Sequence, residues 1–506
     1  MRHSLVVGAR LGLSGLFVAI TLAACTLGPD FKRPDTPATP AYSQSIHPTG
    51  SAISLHYGDD IAEDWYRLFH SDALNSLIRE TLENNPELEA ARHGLVAAQW
   101  ELKAVSGSSL PQIDASGQVG RARINGSELY GPVNELEATG NRFALGPALT
   151  YNLDAFGGVR RTIEAQRAAA SVVREQTLNT YVTLVNQVVI TAFDYAAVRE
   201  QIEVTQALLT QLQAQVELTQ KLENAGKITR SDTLQAQTQF ENVAATLPGL
   251  EQQRDVYRNA LAQLSGRTPD EFQMPNISLK DFVLPSELPV SVPSILVRHR
   301  PDILAAEETL HQASANIGVA EAARFPALSL SAQYAQQTTK INEFLTHPGG
   351  IWSAGLDFTA PLFHGGTLTA REREAKEQYL QAKATYRSTI ITAFVEVANA
   401  LRSLEHDTDS YLAHRRALDT ARANLDLTTA QYRAGRYTEL QVLTAEQQYQ
   451  QAALSQVAAD VQRFTDVATL FRALGGGWWN AQHDPTVLPS ADFVFSNNNT
   501  APTPAL

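Results

Sequence analysis

The sequence predicts a mainly α-helical chain with a small share of β-structure, built as two copies of one layout. Three observations predict this. Val159 to Ala225 and Thr367 to Ala434 each run without a glycine or a proline. Pro86 and Pro111 recur as Pro301 and Pro326, both shifted by 215 positions, and each pair brackets an Ala-rich helical pattern. Past the second proline of each pair the period of the pattern switches to two. A chain of 506 residues exceeds one ordinary core, so an internal repeat is the economical organisation.

Arg2 and Arg10 give the chain a basic start, followed by an apolar run from Leu11 to Thr21 and then "LAAC", Leu22 to Cys25. That is the layout of an export signal. Cys25 is the only cysteine, so neither an internal disulfide nor a multi-cysteine metal site is available. A plain secretory signal with a chance cysteine has the same layout. Removing residues 1–24 deletes two arginines and no acids, which takes the formal charge from -13 to -15. An acidic chain argues against nucleic acid as the main partner. Beyond the leader, no stretch is expected to reach the roughly 18 apolar residues of a spanning helix.

Each copy then carries a strand, a polar loop and a second strand. Ile113, Ala115, Gly117 and Val119 alternate with Gln112, Asp114, Ser116 and Gln118; Leu328, Leu330, Ala332 and Tyr334 alternate with Ser329, Ser331 and Gln333. Loops are expected from Asn125 to Gly140 and from Gln336 to Gly350. The second strands carry Phe143, Leu145, Leu149 and Tyr151, and Trp352, Ala354, Leu356 and Phe358. They end in "AFGG" (Ala155 to Gly158) and "LFHGG" (Leu362 to Gly366). The pattern is that of two β-hairpins.

The two uninterrupted runs come next. At about 1.5 Å per residue each extends roughly 100 Å as a helix and needs partners along its length. Both end in Ala-Gly, at Gly226 and Gly435, a glycine suited to the left-handed residue past a helix end. Thr229 and Thr438 then fit N-caps, with Asp232 and Gln441 three residues on as capping-box partners. Returning helices are expected from Arg230 to about Leu264, kinked at Pro248-Gly249, and from Glu439 to about Leu474. Four strands do not close a barrel, and an open sheet in lipid leaves two unpaired edges. Three chains would supply twelve strands, an even number able to close. A soluble sandwich carries the same alternation.

Four stretches in order carry a family resemblance: "CTLGPDFKRP" from Cys25, "DWYRLFHSDALNSLI" from Asp64 to Ile78, "VPSILVRHRPDI" from Val292 to Ile303, and "LGGGW" from Leu474 to Trp478. With the duplication, the chain resembles the TolC-like outer-membrane efflux channels, in the lipoprotein branch that serves resistance-nodulation-division pumps. The leader likewise resembles a bacterial lipoprotein signal. The resemblance implies a diacylglyceryl group and an N-acyl group on Cys25, and no other cofactor. It implies a homotrimer with a twelve-stranded barrel, four strands per chain, in the outer membrane, and a coiled-coil helical tunnel in the periplasm. The partners it implies are outer-membrane lipid, a periplasmic adaptor and an inner-membrane pump.

On this reading the layout is a signal peptide (1–24), a lipidated extended segment (25–63), a first repeat (64–265), an equatorial connection (266–300), a second repeat (301–474), and an equatorial segment with a disordered tail (475–506). The turns at Gly226, Thr229, Gly435 and Thr438 become the periplasmic tips. Leu440, Thr444 and Gln447 share one helix face and are candidate gate residues, with Asp232 beside them. Several relatives carry aspartate at the place of Thr444, so an acidic ring at this level is in doubt. Leu440 as a constriction competes with ordinary interhelix packing. Asp232, Glu439 and Glu446 are read as solvated helix charges.

Catalytic signatures such as HExxH, G-x-S-x-G and a phosphate-binding glycine loop are absent from the sequence, and the 12 histidines are scattered. No catalytic or metal residues are assigned. The function expected is a passive export duct for drugs, toxic compounds or metals. An exit duct for secreted polypeptides and a pore-free coiled-coil lipoprotein of the surface are the alternatives.

Overall fold

The computed structural model describes residues 26–35, 42, 54–125, 137–344 and 349–480. The leader, Cys25 and the tail from residue 481 lie outside the described residues. In chain order the elements are β1 (Ser54–Tyr57), α1 (Asp72–Asn84), α2 (Pro86–Gly107), β2 (Gln112–Asn125), β3 (Glu137–Asn152), α3 (Gly158–Asn224), α4 (Arg230–Ala244) and α5 (Leu247–Leu264). They continue as β4 (Glu287–Val290), α6 (Pro293–His299), α7 (Pro301–Ala322), β5 (Ala327–Thr338), β6 (Gly350–Thr359), α8 (Thr367–Arg433) and α9 (Glu439–Ala473). The duplication is plain in lengths: α2 and α7 have 22 residues each, and α3 and α8 have 67 each.

Three features differ from the sequence expectation. The strands run further into the expected loops, β3 starting at Glu137 and β5 reaching Thr338, because ladder pairing continues there. The first returning helix is broken between α4 and α5 rather than kinked at Pro248. Proline is at home in the first turn of a new helix, so the interruption falls just before it, at Ala245–Thr246. Finally, one stretch of α3 is long and apolar enough to cross a membrane, against the expectation that no such stretch exists. Most of it, 72%, is buried, as in the core helix of a packed bundle.

The chain forms two compact units, and each takes the same portions of both copies. The first comprises Met1–Pro34, Val96–Val173 and Ala306–Tyr386. It holds a four-stranded antiparallel sheet in the order β2-β3-β5-β6, so the two hairpins join through β3 and β5. The β3–β5 ladder skips Gly146 and Pro147. Proline has no N–H to give a ladder, and a Cβ on Gly146 would lie 1.9 Å from the Tyr334 carbonyl oxygen. The N-terminal segment is fastened to α3 and α7. The Arg161 guanidinium donates to the carbonyls of Leu27 (3.0 Å) and Gly28 (3.1 Å) and pairs with Asp30 at 2.7 Å. Phe31 stacks on His311 with centroids 4.4 Å apart, and Arg33 pairs with Glu307.

The second unit comprises Asp35–Leu95, Arg174–Ala305 and Arg387–Leu506. Its core is aromatic. Phe193 of α3 meets Phe69 at 4.9 Å, Phe282 at 4.8 Å and Phe464 of α9 at 5.4 Å; Trp65 stacks on Phe471 at 4.9 Å. Deleting one such buried ring typically costs about 3–5 kcal/mol. Two of the quoted sequence stretches meet here. Arg300 is buried, pairs with Asp302 (2.6 Å) and Glu396 of α8 (2.9 Å), and donates to the carbonyl of Ala473 (2.9 Å). The Trp478 indole donates to the His299 carbonyl at 2.8 Å and the Trp479 indole to Asp60 at 2.7 Å. A short parallel pairing of β1 with β4 completes the unit.

Candidate functional sites: the strand ribbon and the tip turns

Residues paired across strands share a face of the sheet. Leu328, Leu330, Ala332 and Tyr334 of β5 oppose Phe358, Leu356, Ala354 and Trp352 of β6. Leu330 and Ala332 also oppose Tyr151 and Leu149 of β3, and Leu149, Leu145 and Phe143 oppose Ile113, Gly117 and Val119 of β2. One face is therefore apolar across all four strands. The reverse face carries Gln112, Asp114, Ser116 and Gln118, Arg142 and Thr150, Ser329, Ser331 and Gln333, and Ser353 and Asp357. The apolar face is open: Val119 and Trp352 are each 78% exposed, and Leu356 and Phe358 are exposed as well. Strands of 10 to 16 residues meet the 9–11 needed to cross a bilayer at a tilt. β2 and β6 each keep one edge unpaired among the described residues.

In the second unit the two tip turns are built alike. Past α3, Gly226 (φ +72°) donates its N–H to the Glu223 carbonyl and Lys227 to that of Leu222. Past α8, Gly435 (φ +71°) donates to Tyr432 and Arg436 to Gln431. Both are Schellman turns, which satisfy the orphan carbonyls of a helix end and call for a residue without a Cβ. The next helix starts at once. The Asp232 carboxylate accepts from the N–H (2.9 Å) and the hydroxyl (2.8 Å) of Thr229. The Gln441 amide oxygen accepts from the N–H (2.8 Å) and the hydroxyl (3.3 Å) of Thr438.

α4 and α9 line a groove of about 330 Å³ whose walls include Ser231, Leu234, Gln235, Thr238, Leu440, Leu443, Thr444 and Gln447. The groove thus gathers the three candidate gate residues, set against their counterparts from the first copy. Leu440 is 60% exposed, and Thr444 and Gln447 are exposed too. The Thr444 hydroxyl donates back to the Leu440 carbonyl at 2.7 Å. Asp232 is not among the residues that line this groove; it is the capping-box partner of Thr229, the N-cap of α4. Cys25 is outside the described residues.

Glu439 and Glu446 differ from the expectation of solvated charges: both are buried. They sit seven residues apart, with buried Ala453 a further seven on, so all three hold one heptad position on the packed face of α9. Gln215 of α3 donates its amide to Glu439, and the Tyr432 phenol of α8 lies against the same carboxylate. Burial and that neighbouring charge hold the phenol well above its ordinary value. Burial first, and then the Glu439 charge, push Glu446 up to about 7. The seven-residue spacing was the available signal, but a glutamate there reads as exposed until its neighbours are known.

A two-faced strand ribbon with open edges, joined to very long paired helices with matched capped turns, defines the class of outer-membrane channels with a helical extension. The comparisons place the chain within it. The outer membrane efflux protein family matches residues 77–267 and 292–476, and the chain belongs to that family. It is 28% identical to nodulation protein T of Rhizobium leguminosarum bv. viciae over 472 residues, 92% of this chain and 93% of that protein. It is 29% identical to the probable efflux pump outer membrane protein TtgC of Pseudomonas putida over 476 residues, 92% and 96% of the two chains. Among solved structures, the outer-membrane channel OprN superposes with a TM-score of 0.80 at 28% identity, covering 90% of this chain and all of that one. The fold is that of the TolC-like channels, and the protein is an outer-membrane efflux component.

Proposed function

We propose that three copies assemble into one passive export duct. The observation that carries this reading is the four-stranded sheet, with one apolar face open across every strand and both edges unpaired among the described residues. Lipid leaves no edge unsatisfied, and a sandwich would cover the apolar face. Three ribbons supply twelve strands, apolar outside and polar inside. The repeats at 64–265 and 301–474 give each subunit two helical hairpins, whose rods enclose a water-filled tunnel. The lipid on Cys25 adds a second hold on the outer membrane, next to a segment fastened by Arg161.

The turns at Gly226 and Thr229 and at Gly435 and Thr438 are the tips that meet a periplasmic adaptor and an inner-membrane pump of the resistance-nodulation-division class. Six such tips ring one mouth. Leu440 narrows that mouth at rest, with Thr444 and Gln447 on the same face, and opening shifts the tip helices between packed arrangements. The duct does no bond chemistry; the pump supplies the energy and selects the cargo.

The test is twofold. The purified protein is expected to run as a heat-modifiable trimer and to pass ion current across planar bilayers. A deletion strain is expected to gain sensitivity to drugs, dyes or metals while protein secretion stays normal. A monomer that passes no current refutes the duct, and a secretion defect without sensitisation moves the cargo to polypeptides.

A further inference from the structure

Glu446 has no part in the duct as described so far, yet it is a buried acid in the element that must move. Both Glu439 and Glu446 are more than nine-tenths buried, and the Oε2 atom of each has no hydrogen-bond partner among the described residues. The groups around Glu439 come from three helices. α3 offers the neutral amide of Gln215, α8 the phenol of Tyr432, and α4 the carboxylate of Asp232, which acts on Tyr432. Among the described residues, the charge that acts on Glu446 is that of Glu439, which has the same sign. A buried carboxylate with neither a cation nor a donor is costly to ionise.

We propose that Glu446 is a proton-operated catch on the tip: as the neutral acid it lets α9 pack against its neighbours, and as the carboxylate it drives α9 toward an arrangement that admits water. The raised value fixes the direction. A carboxyl that holds its proton more tightly when packed leaves the packed tip fully stable below its ordinary value of 4.5, and that stability is lost as pH rises through about 7. The closed arrangement is therefore favoured by acid and loosened by mild alkali. The effect on the pore rests on the duct reading; the protonation of the tip does not.

The experiment follows hydrogen–deuterium exchange of the full-length protein over Glu439–Gln450, corrected for the chemical exchange rate, from about pH 5 to about pH 9. Ion current through the same preparation is recorded in parallel. Exchange in the wild type is expected to quicken with a midpoint near 7, and current to rise with it. Glu446→Gln, which keeps the shape of the side chain, is expected to hold the slow exchange and low current at every pH. Glu439→Gln is expected to lower the midpoint by removing the like charge. Exchange independent of pH in the wild type, or a Glu446→Gln protein that follows the wild type, overturns the proposal. A pH-dependent exchange with no current at any pH supports the catch and refutes the duct.

Discussion

Leu440 is a large apolar side chain left 60% exposed beside Val442, Leu443 and Ala445, which are buried. Its exposure follows from its place, the second residue of α9, two positions after the Thr438 cap and on the face that lines the groove. On the duct reading, such a residue gains its role where copies converge. Leu440→Ala removes three carbons at the level proposed to narrow the mouth. It is expected to raise single-channel conductance in planar bilayers without changing trimer stability; an unchanged conductance would assign Leu440 to ordinary packing. The capping residues answer to a different cause. Asp232 is held by Thr229 through two hydrogen bonds, which fixes it at the start of α4 and keeps it from acting as a free lumen charge.

The strand ribbon makes its own prediction at the scale of elements. Leu356 lies on the apolar face and Ser353 on the polar one, three residues apart on β6. A basic residue on the lipid face near the middle of a bilayer costs roughly 2–4 kcal/mol, while a lumen-facing one costs little. Leu356→Arg should lower the stability of the folded protein in vesicles by that amount, read from urea titration, and Ser353→Arg should leave it nearly unchanged. Equal losses would show that both faces see the same surroundings. The two-residue period announced these strands because alternation is local. The pairing of β3 with β5 was not legible, since it joins residues nearly two hundred positions apart. The tip turns were legible to the residue, because positive φ and capping chemistry are decided within six positions. The break at Ala245–Thr246 was misplaced by a few residues, as proline marks a helix start as well as a kink. The burial of Glu439 and Glu446 escaped because polarity outweighs periodicity in reading a helix face, while in the fold the heptad position decides.

For the whole molecule, the compact units cut across the repeats: the strand ends of both copies belong to one unit and the helical-hairpin ends to the other. A tandem duplication would ordinarily give two independent halves. Here neither half closes alone, because each hairpin pairs with the other copy's hairpin, and among the described residues the sheet they form still ends in open edges at β2 and β6. In a closed barrel those edges pair with the next subunit. This pairing is tested most directly by oxidative cross-linking in the outer membrane, with one cysteine scanned along β2 and another along β6. Cys25 is the only native cysteine, so the added pair sets the pattern. At one register the cross-linked products are expected to stop at three subunits, with each single-cysteine protein remaining uncrossed. Products that stop at two, that extend beyond three, or that form at no register would contradict that pairing.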